Sequence, residues 1–180
     1  SELELTMPTQ IYWSRTHHLA VGLLVTIITT GLVQSATANW KTGVAKVNIT
    51  PKKLMWMSGY GGRDRPAEGK LTDLWAKALA IRDPLGNRGV IITLDLVGID
   101  RGTAGVICAH LREKHRLQRR QVAICMSHTH TGPSVGRNLA PLHYLQVDEN
   151  QQAALDRYTE VLVDKVGTVV DEAFQAMAPS

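Results

Sequence analysis

"GVIITLDLVG" (residues 89–98), "RGTAGVICAHLREKHRL" (101–117) and "QVAICM" (121–126) follow one another with almost no spacer, and their reading decides the fold. The first is a nearly unbroken apolar run, which predicts a central strand buried on both faces. The second places Val106, Ile107 and Leu111 on one side of a helix and ends among basic residues, the charges that suit a helix C-terminus. The third is a short apolar run that reads as another buried strand. Strand, helix and strand in this order form a crossover unit, with the two strands parallel and the connection right-handed.

Upstream, "LWAKALAI" (74–81) is a strand joined to 89–98 through "RDPLGNR", whose Pro84, Gly86 and Asn87 predict a hairpin. "TGVAKVNIT" (42–50) is a further strand, stopped by Pro51. Downstream, Leu155, Tyr158, Leu162, Val166, Val169, Ala173 and Phe174 recur at helical spacing, as one long amphipathic helix or two shorter ones. The expected class is α/β: a mixed sheet containing a parallel βαβ unit, with helices packed on it, in the order β-β-β-α-β-α. The chain has no internal repeat.

Its 180 residues, 44% hydrophobic and 20% charged, suit one compact domain. The net charge of +4 is modest, and the basic run 112–120 contains no aromatic residue to stack on bases, so no nucleic-acid partner is expected. Residues 19–33 form an apolar run preceded by Arg15, His17 and His18 and followed by "SATA". The run is short for a membrane span of about 20 residues. Residues 1–38 therefore read as an export signal cut after Ala38, with Met7 a candidate native start, and the protein as secreted or periplasmic. Export permits a disulfide, but Cys108 and Cys125 read more simply as two buried free thiols.

In open α/β sheets, sites form beyond the C-terminal ends of parallel strands. "MSHTHTGPS" (126–134) lies there. In an extended segment His128 and His130 point the same way, and Asp95 near the end of the neighbouring strand joins them at one edge. Two imidazoles on one face bind one metal ion, typically zinc, or divide into a ligand and an acid/base; they also fit plain surface loop residues. A hydrolytic zinc site takes about three protein ligands, and the chain offers few others. His143 falls on a loop, and His110 and His115 read as surface or end residues of the crossover helix. Asp95 either orients a histidine or caps the turn at its strand's end. The loop "MWMSGYGGRDRPAEGK" (55–70) is either functional or packed down, with Tyr60 and Arg63 as candidates for the rim of a substrate site or for surface packing. Nucleophile elbow, Walker loop and dinucleotide fingerprint are all missing.

"GVAKVNITP", "MSGYGGRDRPAEG", "LWAKALAI" and "SHTHTGP" occur here in one order, and with them the sequence resembles the N-terminal part of the neutral/alkaline, non-lysosomal ceramidase family. The resemblance runs from about Gly43 to the C-terminus, so 39–180 would be the N-terminal portion of such a domain. It implies a zinc-dependent amidase that splits ceramide, a lipid amide met at a membrane surface, into sphingosine and fatty acid. By resemblance His128 is a zinc ligand, and His130 lines the site and assists catalysis or orients the amide. The family's other ligands, a second His, a Glu and a Tyr, would fall beyond residue 180, which makes the chain look like an incomplete, inactive fragment. The loop "GGRDRPAEGK" resembles the version in bacterial relatives of unproven substrate. Two other functions fit the same residues: a zinc hydrolase of another amide or ester, and a secreted binding or structural domain without catalysis.

Overall fold

The computed structural model describes residues 39–180; the expected signal segment 1–38 lies outside the described residues. Among the described residues, five strands form one mixed sheet in the order β4-β3-β2-β1-β5. They are β1 (Lys41–Asn48), β2 (Trp75–Arg82), β3 (Arg88–Leu94), β4 (Val122–Met126) and β5 (Ala178–Pro179). Helix α1 (Arg101–His115) crosses from β3 to β4, and helix α2 (Glu149–Gln175) follows β4. Only β3 and β4 run parallel; β1–β2, β2–β3 and β1–β5 are antiparallel. This is the expected class, extended by β5, which the sequence pattern does not signal.

The hairpin between β2 and β3 is closed by Asp83, whose carboxylate accepts from the Asn87 amide at 2.8 Å, while Gly86 takes φ 89°. Register then sets Ala76 opposite Leu94, Ala78 opposite Ile92 and Ala80 opposite Val90. These six residues are buried on one face, small on β2 and large on β3, so α2 can lie close across β1, β2 and β3. Gly43 on β1 completes the fit: a Cβ there would stand 2.0 Å from the Ala173 carbonyl of α2.

The strand β3 departs from the expectation of burial on both faces, because Ile91 is exposed. Both helices lie on the face of Ile92, so β3 alternates inside and outside like its antiparallel neighbours. Likewise α1 buries Thr103, Ile107 and Leu111, spaced by four, and turns Val106 outward. Both cysteines are free, as expected, but Cys125 is exposed.

The periodicity over 151–177 resolves into one helix. Asp148 caps α2 by accepting from the Gln151 amide at 2.8 Å. Leu155, Tyr158, Leu162, Val166, Val169 and Ala173 form its buried stripe, and the Tyr158 hydroxyl donates to the Ile49 carbonyl at 2.7 Å. That burial raises the Tyr158 pKa, keeping the hydroxyl a donor. His110 packs against Gly167 of α2, where a Cβ would meet its ring at 2.7 Å. His115 bonds Asp171 at 2.7 Å. Both histidines therefore join the two helices.

Leu162 is wholly buried in the α2 stripe. Leu162→Ala is expected to destabilise the chain by about 2–5 kcal/mol, read from urea unfolding. A loss below about 1 kcal/mol would mean that α2 does not seat on the sheet as described.

Candidate active site at the ends of the parallel strands

The pairing of β3 with β4 does not stop at Met126. The Ser127 amide donates to the Leu94 carbonyl at 3.0 Å, and the Thr129 amide to the Leu96 carbonyl at 3.2 Å. Between these two bonds His128 takes φ 59°, a left-handed conformation uncommon for a residue with a side chain. The segment is therefore not extended, as the spacing predicts, yet the rings of His128 and His130 still meet, with centroids 4.7 Å apart and planes at 65°. A turn, not strand alternation, brings them together.

On His128, Nδ1 lies 3.1 Å from the Val97 carbonyl. A carbonyl only accepts, so Nδ1 carries the proton and donates it. The exposed ring is left with Nε2 as its lone-pair nitrogen. A hydrogen bond from one imidazole nitrogen to a backbone carbonyl is how metal-binding histidines are commonly oriented. Among the described residues, however, no three His, Cys, Asp or Glu side chains gather to hold a metal ion. One position fits a ligand, and the described residues do not complete a set.

The long loop 55–70 packs against this turn. The Ser58 amide donates to the Gly132 carbonyl at 3.0 Å and the Ser134 amide to the Trp56 carbonyl at 2.9 Å, around an antiparallel bridge of Met57 with Pro133. Gly59, at φ 110°, lies so close to His130 that a Cβ would stand 2.5 Å from the ring. Tyr60 sets its ring edge-on to His130, with centroids 4.7 Å apart. The Arg63 guanidinium donates to the His130 carbonyl at 2.6 Å and stacks over Tyr60. Tyr60 and Arg63, chosen as rim candidates, thus both border His130. The Asp95 carboxylate accepts from the Trp75 amide at 2.9 Å, which ties the start of β2 to the end of β3.

Sequence reasoning leaves His143 on a loop without a role, whereas here it is wholly buried. Its Nε2 accepts from the Gly59 amide at 3.1 Å, so His143 grips the glycine that walls His130. Burial, reinforced by the charge of Arg63, pushes its pKa down and keeps it neutral, the form that can accept. The segment carrying it is pinned to α2: Arg137 stacks on Tyr144 and pairs with Asp156 at 2.9 Å, and the Tyr144 hydroxyl donates to Asp156 at 3.0 Å. Asp100 also caps α1, accepting from the Thr103 amide at 2.9 Å and from the Arg137 amide at 2.8 Å. No local signal singles out His143, which stands between Leu142 and Tyr144 in the mostly apolar stretch "LAPLHYLQV" (139–147).

Gly59→Ala is expected to cost about 1–3 kcal/mol and to displace the His130 ring, visible as a shift of its imidazole NMR signals. Unchanged signals would contradict the contact. For His143 the folded pKa lies below the unfolded one near 6.5, so the unfolded chain binds the extra proton. Its contribution is present above about pH 6.5 and declines as pH falls from there toward the folded pKa. Stability measured at pH 7.5 and 5.5 should differ less in His143→Gln than in the parent; an equal difference would show that the ring is not held neutral.

No family model matches the chain. In sequence it is 28% identical over 117 residues to the neutral ceramidase of Drosophila pseudoobscura pseudoobscura, a match covering 63% of this chain and 16% of that protein. The crystal structure of neutral ceramidase from Pseudomonas aeruginosa superposes with a TM-score of 0.64 at 21% identity. A ceramidase complexed with C2 superposes with a TM-score of 0.65, also at 21% identity. Both alignments cover 79% of this chain and 22% of the solved one. The chain therefore resembles neutral ceramidase in sequence and has the fold of a part of it.

Proposed function

We propose that this chain contributes part of the active site of a zinc-dependent amidohydrolase acting on the N-acyl bond of a ceramide-like lipid amide. The observation that carries the reading is the setting of His128. Its ring is locked through Nδ1 to the Val97 carbonyl at the end of two parallel strands, in a chain that resembles neutral ceramidase. Imidazole suits zinc, and His128 would hold it through Nε2, with the remaining donors supplied from outside the described residues. When bound, zinc supplies Lewis-acid polarisation of the amide carbonyl and lowers the pKa of water at the site.

The chain's own residues have separate tasks. His130, 4.7 Å from the His128 ring, is suited to pass a proton to the amine nitrogen as it leaves. Its orientation is kept by Gly59 behind the ring and Tyr60 at its edge, while Arg63 anchors its carbonyl. Tyr60 presents an exposed aromatic ring beside the pair, a suitable rim for an apolar substrate approaching from a membrane surface. Export through the 1–38 segment belongs to the same proposal and puts the enzyme in the secreted or periplasmic space.

The test uses the 180-residue chain first. Zn²⁺ added at neutral pH is expected to shift the His128 Nε2 resonance before any other ring nitrogen, and His128→Asn, which tolerates positive φ, is expected to remove the response. Within a polypeptide of the relatives' length, release of fatty acid from a short-chain ceramide should vanish with a chelator and in His128→Asn. It should fall about 10²–10⁴-fold in His130→Ala. Turnover unaffected by His128→Asn, or confined to amides without a lipid tail, would overturn the reading.

A further inference from the structure

Both helices cover one face of the sheet, and among the described residues the other face carries no layer. Its outward side chains fall into two rows that run across the strands. Register sets Val44 against Leu79, Leu79 against Ile91 and Ile91 against Ala123, an aliphatic row over β1, β2, β3 and β4. The next row sets Lys46 against Lys77, Lys77 against Thr93 and Thr93 against Cys125. Val44 and Ile91 are exposed, and the two rows border a groove of about 550 Å³. Like charges directly opposite each other repel, so a lysine pair across two strands is a cost to the sheet. Among the described residues neither lysine makes an ion pair, and Lys46 lies over the Trp75 ring at 4.6 Å. Asp95, just past the end of β3, is committed to the Trp75 amide at 2.9 Å.

From this we propose that the open face docks an acidic amphipathic helix of a partner polypeptide. The helix lays its apolar stripe on the row from Val44 to Ala123, and two of its carboxylates meet Lys46 and Lys77. Charge and spacing carry the match. Four strands about 4.8 Å apart span about 14 Å, which about ten residues of helix cover at about 1.5 Å each. Stripe positions i, i+3, i+7 and i+10 then fall on the aliphatic row. Lys46 and Lys77 stand on neighbouring strands, and glutamates three or four positions apart on a helix, with Cβ atoms about 5–6 Å apart, match that separation. A second copy of this chain is a poorer occupant, because its own lysine pair would face this one. A bilayer is poorer too, since it presents a plane where a groove takes a convex helix. The inference goes beyond the amidase reading and needs neither metal nor turnover.

Two synthetic helical peptides of about four turns test it, each with leucines at i, i+3, i+7 and i+10, flanked in one by glutamates and in the other by lysines. Fluorescence anisotropy with the 180-residue chain is expected to show the glutamate peptide binding about tenfold or more tighter at low salt, with the gap narrowing as salt rises. Amide NMR signals of Leu79, Ile91 and Ala123 should move during the same titration. The double variant Lys46→Glu, Lys77→Glu should reverse the preference between the peptides. Ile91→Asn should weaken the glutamate peptide about tenfold, whereas Val106→Asn, at an exposed position of α1, should leave it unchanged. Equal affinity for the two peptides, NMR shifts confined to other residues, or equal loss in Val106→Asn would overturn the assignment. So would uptake by phosphatidylserine vesicles without peptide binding, which marks a membrane surface, or self-association lost in Ile91→Asn without peptide binding, which marks a second copy.

Discussion

Two backbone hydrogen bonds, Ser127 to Leu94 and Thr129 to Leu96, carry the parallel pairing past the end of β4, and the local geometry of the site depends on them. They hold the chain on both sides of His128 while it takes a left-handed turn. Without that restraint, a residue with a Cβ would relax from φ 59° to the ordinary extended or helical region. The turn then sends Thr131–Ser134 back along the loop at 56–58, so one short segment has partners on two sides. Parallel pairing matters because it delivers the ends of β3 and β4 to the same edge; an antiparallel neighbour would have placed its end at the opposite one.

Buried polar atoms tell a consistent story about where the fold accepts a cost. Trp56 Nε1, Ser58 Oγ, Arg63 Nε, His130 Nδ1, Ser134 Oγ and His143 Nδ1 are buried without a hydrogen-bond partner among the described residues. These six lie on the three segments that meet at the histidine turn; a seventh, Gln151 Oε1, stands apart in the first turn of α2. A packed core avoids such atoms, because each lost hydrogen bond costs about 1–3 kcal/mol. Their concentration here, while the sheet and helix interface is cleanly apolar, marks a region shaped for something other than stability. The left-handed His128 and the close approach of Gly59 to His130 fall in the same place.

How much of this was legible in the sequence follows from which forces are periodic. The crossover unit was readable because the apolar run 89–98 and the helical spacing over 101–117 obey local rules, and basic residues mark the end of α1. The nearness of His128 and His130 was also foreseen, though for the wrong geometric reason: alternation in a strand and a tight left-handed turn both bring positions two apart together. Burial of β3 on both faces was misread because apolarity alone does not say how many layers cover a sheet, and Ile91 ends on the open side. His143 was invisible because its burial depends on a single long-range acceptor bond to Gly59, 84 residues away, which leaves no pattern in its own neighbourhood. Asp95 shows the opposite limit. Its position near the strand end was right, but its carboxylate bonds a backbone amide of β2, a partner that spacing cannot name.

The division of labour between rigid and irregular parts accounts for the site's construction. His128 is referenced to the sheet through Leu94, Leu96 and Val97, and is therefore as fixed as the strands. His130 is referenced to a loop, through Gly59, Tyr60 and Arg63, and that loop is in turn fixed by a buried imidazole whose own segment is clamped to α2 by Arg137, Tyr144 and Asp156. A group that must hold a fixed position gains from direct attachment to the sheet. A group that must exchange a proton with a moving substrate tolerates, and can use, a mounting several contacts removed from it. The order in which these two imidazoles are anchored therefore suits the proposed roles, ligand for His128 and acid/base for His130, better than the reverse assignment.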